Sequence, residues 1–179
     1  QMDYFLADCT TLPEGEPAPF TEQIVRMEHS HLCYMWHGAP LEPQPLPAGE
    51  QGFITFGSLN DFRKVTDDVL RAWARILDAV PGSRLLLKAG IFDEDYGGSF
   101  AYERMYQAGI DWNRVDTEGR TDDYLRAYER IDIALDTFPY PGGGTTCDAL
   151  YMGVPVVTLA GPSHHERFGK SLLVNAGHP

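Results

Sequence analysis

From Gly52 onward, short apolar runs alternate with helix-patterned stretches, and this alternation limits the fold more than any other feature of the chain. Phe53–Ser58 (FITFGS), Arg84–Lys88 (RLLLK), Arg114–Thr117, Ile131–Asp136 (IDIALD) and Val154–Ala160 (VPVVTLA) read as strands. Thr66–Val80 places Val69, Trp73, Ile76, Leu77 and Val80 at helical spacing. Thr66 is its expected N-cap, Asp67 and Asp68 suit its first turn, and Pro81-Gly82 stops it. Tyr96–Ala108, Thr121–Arg130, Thr145–Met152 and His165–Asn175 are the other expected helices. Strands that are apolar throughout are buried on both faces, which requires a parallel α/β sheet with helices on each side. Right-handed crossovers then predict a doubly wound, Rossmann-like sheet of order 3-2-1-4-5.

Residues 1–49 differ in character. They hold Pro13, Pro17, Pro19, Pro40, Pro43, Pro45 and Pro47, seven of the 13 prolines. Met2–Ala7 suggests a short strand, Phe20–Met27 a short helix and His31–Trp36 an extended piece. Gly38–Gly49 reads as an extended linker, because each proline fixes its own φ and biases its predecessor away from helix. The division is therefore residues 1–49 as a joining segment and linker, and residues 50–179 as the sheet-bearing lobe. The chain stops at Ala-Gly-His-Pro soon after a helix, without a closing element, so it is expected to be a fragment of a larger protein.

Charge narrows the function classes. With 14 Lys+Arg against 26 Asp+Glu the formal net charge is −12, which offers no general field to draw in nucleic acid or an anionic membrane. A phosphate site must then be local, made of backbone N–H groups and one or two cations. No apolar run approaches the roughly 18–20 residues of a membrane span, and no signal peptide is visible at the start. Cys9, Cys33 and Cys147 are widely spaced and odd in number, which fits reduced thiols in a cytoplasmic protein and no zinc knuckle.

A doubly wound sheet binds ligands beyond the carboxyl ends of its strands, where the winding reverses. Two loops flank that crevice. After IDIALD comes Asp136-Thr-Phe-Pro-Tyr-Pro-Gly-Gly-Gly-Thr-Thr-Cys-Asp148. Its glycines permit close approach of backbone to ligand. Thr145 and Thr146 open a helix whose first-turn amides suit a diphosphate, and Asp148 stands about one turn in, able to accept from ribose hydroxyls. The plainer reading is a flexible loop with ordinary threonine capping. The motif is neither GxGxxG nor a Walker loop, and a dehydrogenase-type NAD domain is disfavoured because no glycine fingerprint follows the first strand. After FITFGS, the run Asn60–Lys64 supplies Arg63 and Lys64. A lysine there can reach across the crevice and steady a leaving group's charge, or it is a solvated surface cation. His29 with His31 and His164 with His165 lack the accompanying pattern of a metal site, and Trp36-His37-Gly38 reads as a packed aromatic before the linker. Asp132 and Asp136 are expected to form salt bridges or cap loops, and no nucleophile is assigned.

Together FITFGSLNDFRKV, VPGSRLLLK, RIDIALDTFPYPGGGTTCDALYMGVPVVTLAG and HERFGKSLL resemble the C-terminal catalytic half of the O-GlcNAc transferase family, including its bacterial and SPINDLY-type members. MDYFLAD, FTEQIVRM and LCY resemble the stretch that joins the two halves. The resemblance implies the C-terminal lobe of a GT-B glycosyltransferase, with tetratricopeptide repeats usually found upstream. It implies transfer of a sugar, GlcNAc foremost, from a UDP-sugar to Ser or Thr of a protein acceptor, with inversion and with neither cofactor nor metal. A related transferase using another sugar or an Asn acceptor, or a non-catalytic scaffold, is the alternative. By the same resemblance Lys64 is the diphosphate-contacting lysine, and Gly143, Gly144, Thr145 and Thr146 lie in the diphosphate loop. Asp148 matches the ribose-binding aspartate, and Asp61 sits where a Gln or Asn is common near the nucleotide. The chain departs from the bacterial pattern NGGTTTCD, with Pro141 for the Asn and Gly144 for the first Thr, and Tyr124 stands where a uracil-packing His is typical. The catalytic histidines of the N-terminal lobe have no counterpart, so this chain alone is expected to transfer nothing. Apolar surface left by the other lobe would favour a homo-dimer.

Overall fold

The computed structural model describes residues 2–16, 20–36, 38 and 40–178. Pro17, Pro19 and His37, and the terminal residues 1 and 179, lie outside the described residues. Five strands form one wholly parallel sheet: β3 (Thr55–Ser58), β4 (Arg84–Lys88), β5 (Val115–Glu118), β6 (Ile133–Leu135) and β7 (Val156–Val157). Their order is β5-β4-β3-β6-β7, the predicted 3-2-1-4-5. The winding reverses at β3, which pairs with β4 on one side and β6 on the other.

The pleat sorts the core into two layers. Leu85 and Leu87 of β4 face one side, where they join Val69, Leu70, Trp73 and Leu77 of α2 (Asp67–Ala79) and Ala101 and Met105 of α3 (Asp95–Gln107). Leu86 faces the other side with Leu125, Tyr128, Ile131, Ala149 and Met152, where α4 (Gly144–Tyr151) lies. Each fully buried large apolar side chain contributes about 1.5–3 kcal/mol. Gly57 is needed in β3 because a Cβ there would collide with the Ile131 side chain. Thr66 caps α2 as expected, accepting from Val69 N at 3.3 Å.

Four expectations are corrected. Phe20–Met27 is not a helix: Gln23–Met27 forms β2, parallel to β1 (Tyr4–Asp8), in a separate two-stranded sheet. Thr121–Arg130 is not an α-helix. Tyr124–Arg130 is a 3-10 helix, and Leu125, Ala127 and Tyr128 turn inward from it. The linker is not extended to Gly49, because α1 (Ala48–Gln51) makes one turn at its end. Val154–Ala160 is mostly irregular, with only Val156 and Val157 paired, since Pro155 has no N–H to give the ladder. At the carboxyl end, a 3-10 turn at His164–Arg167 precedes α5 (Phe168–Asn175).

The small sheet is tied to α5 through Asp8. Its buried carboxylate accepts from His31 Nδ1 at 2.7 Å and Ser171 Oγ at 2.9 Å, and from the Thr11 amide at 2.8 Å. From there residues 28–36 and 40–47 run as a strap along the lobe to α1. Asp132 anchors its far end, accepting from Ala48 N at 2.9 Å and Thr55 N at 2.8 Å.

Candidate functional site

The loops after β3 and β6 meet at the switch point. Asp61 caps the 3-10 turn Phe62–Lys64 by accepting from Arg63 N, and that turn aims Lys64 across the crevice. Lys64 Nζ donates to Pro141 O at 3.1 Å and stands 4.7 Å from the centre of the Tyr140 ring. Burial pulls its pKa below the usual lysine value, while Asp136 and Asp61 act the other way. The cation and the glycine turn, 77 residues apart in sequence, are therefore in contact.

Asp136 shapes the turn. Its Oδ1 accepts from Gly142 N at 2.6 Å, Thr137 N at 2.9 Å and Asn60 Nδ2 at 3.3 Å, and its Oδ2 from Thr158 Oγ1 at 2.9 Å. Burial raises its pKa and these donors lower it, with a net upward shift. Gly142 has no room for a side chain, since a Cβ would lie 2.6 Å from Thr146 Oγ1 and against Thr145 Oγ1. Gly143 and Gly144 are not crowded, and Gly144 is exposed. Because Asp136 takes the Gly142 amide, the amides left for a ligand are those from Gly143 into the first turn of α4, which have no intrahelical acceptor.

Thr145 Oγ1 donates to Asn60 Oδ1 at 2.9 Å, so Asn60 joins the two loops. Thr146 is buried beneath them. The floor of the crevice is packed shut: between Ser58, Asn60, Asp136, Thr145 and Thr146 the free space is about 10 Å³. A ligand can only lie across the rim.

Further along α4, Asp148 is 5% exposed. Its Oδ1 accepts from Tyr34 Oη at 2.6 Å and its Oδ2 from Tyr124 Oη at 3.2 Å. Burial raises the Asp148 pKa and the two phenols lower it, leaving it above the ordinary carboxylate value. Tyr124 also borders a cavity of about 450 Å³ with Leu59, Asp61, Lys88, Gly90 and Arg120. Asp61 stands at its edge, clamped by the Arg63 guanidinium at 2.7 and 3.0 Å, which brings its pKa down to about 2.

The structure thus brings together Lys64, Gly143, Gly144 and Thr145 on the rim, with Thr146 buried beneath it and Asp61, Tyr124 and Asp148 beside it. Sequence reasoning overlooked Asn60, Tyr34 and Tyr128, whose hydroxyl holds Thr145 O at 2.8 Å. Of the two roles expected for Asp132 and Asp136, salt bridges or loop caps, the structure shows the second, since both bind backbone amides and neither pairs with a cation among the described residues. Among the described residues no cluster of His, Cys, Asp and Glu is arranged to hold a metal ion, and no helix is long and apolar enough to cross a membrane.

Residues 46–179 match Glycosyl transferase family 41. The chain is 41% identical over 179 residues to a protein of Solanum lycopersicum named probable UDP-N-acetylglucosamine–peptide N-acetylglucosaminyltransferase SPINDLY, covering 98% of this chain and 19% of that protein. Its Arabidopsis thaliana namesake is also 41% identical, with 98% and 20% covered. A mutant of the Thermobaculum terrenum O-GlcNAc transferase superposes with a TM-score of 0.83 at 37% identity, covering 98% of this chain and 34% of that one. The chain therefore spans about a fifth of the length of these curated relatives.

Proposed function

The chain belongs to Glycosyl transferase family 41, and from that premise we propose that it is the donor-binding lobe of a transferase moving a sugar from a UDP-sugar to Ser or Thr of a protein. GlcNAc is the sugar in the relatives' names. The observation that carries this reading is the contact of Lys64 Nζ with Pro141 O at the mouth of the glycine turn. It sets a half-buried cation beside the free amides of α4, in an otherwise acidic chain.

In this reading the diphosphate lies along Gly143–Thr146, taking hydrogen bonds from the first-turn amides and the favourable end of the helix dipole. Lys64 exchanges Pro141 O for a phosphate oxygen. As the bond from the anomeric carbon to the phosphate oxygen breaks, negative charge grows on the departing UDP, and a fixed ammonium there stabilises it. Asp148 accepts from the ribose hydroxyls, and the base enters the cavity beside Tyr124. The acceptor hydroxyl is the Ser or Thr of the substrate protein, and in this reading the group that takes its proton belongs to the other lobe, so this lobe binds donor without turning it over.

The test is an amide NMR titration with UDP. Shifts are expected at Lys64, Gly143–Thr146 and Asp148, and they should be weaker with UMP, which lacks the second phosphate. A folded chain whose amides at those positions ignore UDP overturns the site. A parallel titration with GDP reads the base preference of the cavity.

A further inference from the structure

The strap that crosses α4 contributes a side chain to the same site. Along residues 32–36 exposure alternates: Leu32, Tyr34 and Trp36 turn toward the lobe while Cys33 and Met35 face out. Leu32 approaches Gly143, Trp36 packs edge-on against Tyr124 with ring centres 6.1 Å apart, and Tyr34 lies near Tyr151 at 6.4 Å. The Tyr34 hydroxyl ends on Asp148 Oδ1, a contact spanning 114 residues of sequence and shorter than the one Tyr124 makes to Oδ2.

We infer that Tyr34 is a positioning residue of the donor site, holding the Asp148 carboxylate oriented and ionised so that its remaining lone pairs receive the ribose diol. The inference rests on the reading of Asp148 as the ribose ligand. Three points support it. A carboxylate offers about four acceptor positions, so one phenol on each oxygen leaves a place on each for a diol. Asp148 is buried, and burial favours the neutral acid, which would present a donor where an acceptor is needed. Two phenol donors oppose that, and the bond to an ionised acceptor is the strong kind. Finally, on either side of Tyr34 the strap is held to the lobe, by the Asp8–His31 pair and by Trp36 against Tyr124, so the Tyr34 ring is placed by contacts that do not involve the ligand.

The groups facing Asp148 are Tyr34 from the strap, Tyr124 and Tyr128 from the 3-10 helix, and Cys147 from α4. Burial is the first cause that pushes each of them up, Cys147 to about 11, so all four stay neutral through the acid and neutral range. The acid limb of UDP binding is then set by Asp148 among these groups. Removing the Tyr34 hydroxyl raises the Asp148 pKa, and binding is lost at a higher pH as the solution is acidified.

The experiment compares the parent chain, Tyr34→Phe and Asp148→Asn by UDP calorimetry from pH 8 to pH 5, with a ¹³C carboxyl titration of Asp148 in the first two. Tyr34→Phe retains the ring and its packing. It should bind UDP about 5- to 20-fold more weakly at neutral pH, lose binding earlier on acidification, and show a raised Asp148 titration. Asp148→Asn should bind more weakly still. If Tyr34→Phe matches the parent in affinity and pH profile while Asp148→Asn loses binding, the inference is overturned and the donor site stands. If Asp148→Asn binds UDP as the parent does, the ribose role falls and the inference with it. An unmoved carboxyl titration in Tyr34→Phe refutes the coupling whatever UDP does.

Discussion

Replacing Gly142 with alanine puts one methyl group at the most crowded point of the glycine turn. An ideal Cβ there would lie 2.6 Å from Thr146 Oγ1, 3.2 Å from Asp136 Oδ1, and closer than either to Thr145 Oγ1. The two threonine oxygens sit on β-branched carbons with stiff χ1 angles, so relief needs a threonine to flip or the turn to move. A Thr145 flip forfeits its bond to Asn60, about 1 kcal/mol. A moved turn stretches the 2.6 Å bond from Gly142 N to the Asp136 carboxylate, a kind of bond worth about 1.5–3 kcal/mol. Overpacking itself costs about 1–3 kcal/mol. Taking one route of relief plus residual strain, Gly142→Ala should lose about 2–4 kcal/mol in urea unfolding, and its UDP affinity should drop about tenfold because both threonines are displaced. Gly144→Ala is the matched control. A Cβ at Gly144 meets nothing within 4 Å, and it sits at the start of α4. Stability there should hold or rise by about 0.5 kcal/mol, with UDP binding retained. Equal unfolding midpoints for the two variants would refute this account of the turn, and so would a Gly142→Ala protein as stable as its parent.

Two further outcomes concern carboxylates. Burial pushes the Asp8 pKa up, but the bonds from His31, Thr11 and Ser171 outweigh it and bring it to about 2, below the ordinary 3.8. A depressed carboxyl stabilises the fold above 3.8 and loses that contribution as pH falls toward 2, so unfolding free energy should decline across this window. Asp8→Asn should lessen that decline, to which other depressed carboxyls such as Asp61 also contribute, and cost about 1.5–3 kcal/mol near neutrality, and an unchanged acid limb in the variant would contradict the assignment. Asp136→Ala orphans the buried Gly142 and Thr137 amides at about 1–3 kcal/mol each, whereas Asp136→Asn keeps an oxygen for them and turns its amide toward the Thr158 hydroxyl. The alanine variant should therefore be the less stable by about 2 kcal/mol or more in chemical denaturation, and equal losses would show that the shape of the acceptor is unimportant.

The sheet order was legible because crossover handedness leaves few topologies once strands and helices alternate. The meeting of Lys64 with the glycine turn followed directly, since both loops leave strands that adjoin at the reversal. Errors arose where non-local pairing decided the local structure. Gln23–Met27 alternates between exposed and half-buried, yet five residues fit either period until a partner strand at Tyr4–Asp8 is known. Thr121–Arg130 has a capping signal at Thr121, but the inward turn of Leu125, Ala127 and Tyr128 is met by a 3-10 helix that starts later. Tyr34 carried no local signal at all, because its meaning lies in an aspartate 114 residues away.

For the proposed diphosphate site to work in a chain of net charge −12, the acids at the rim must first be engaged by the protein itself. Three carboxylates border it, and the structure commits each of them. Asp61 is clamped by a guanidinium, Asp136 accepts four hydrogen bonds around the turn, and Asp148 is held between two phenols. Each bond engages part of the carboxylate's acceptor capacity with protein donors, and Asp148 alone is proposed to keep a place on each oxygen for the ribose. What remains at the rim is the start of α4, whose first-turn amides have no intrahelical acceptor, with Lys64 across from it. Charge interactions fall off within about 8–10 Å at physiological ionic strength, so the distant acids that dominate the total are screened from an anion seated there. The local arrangement then governs attraction at the rim, while the overall negative charge works against longer phosphate polymers that would have to lie across the whole surface.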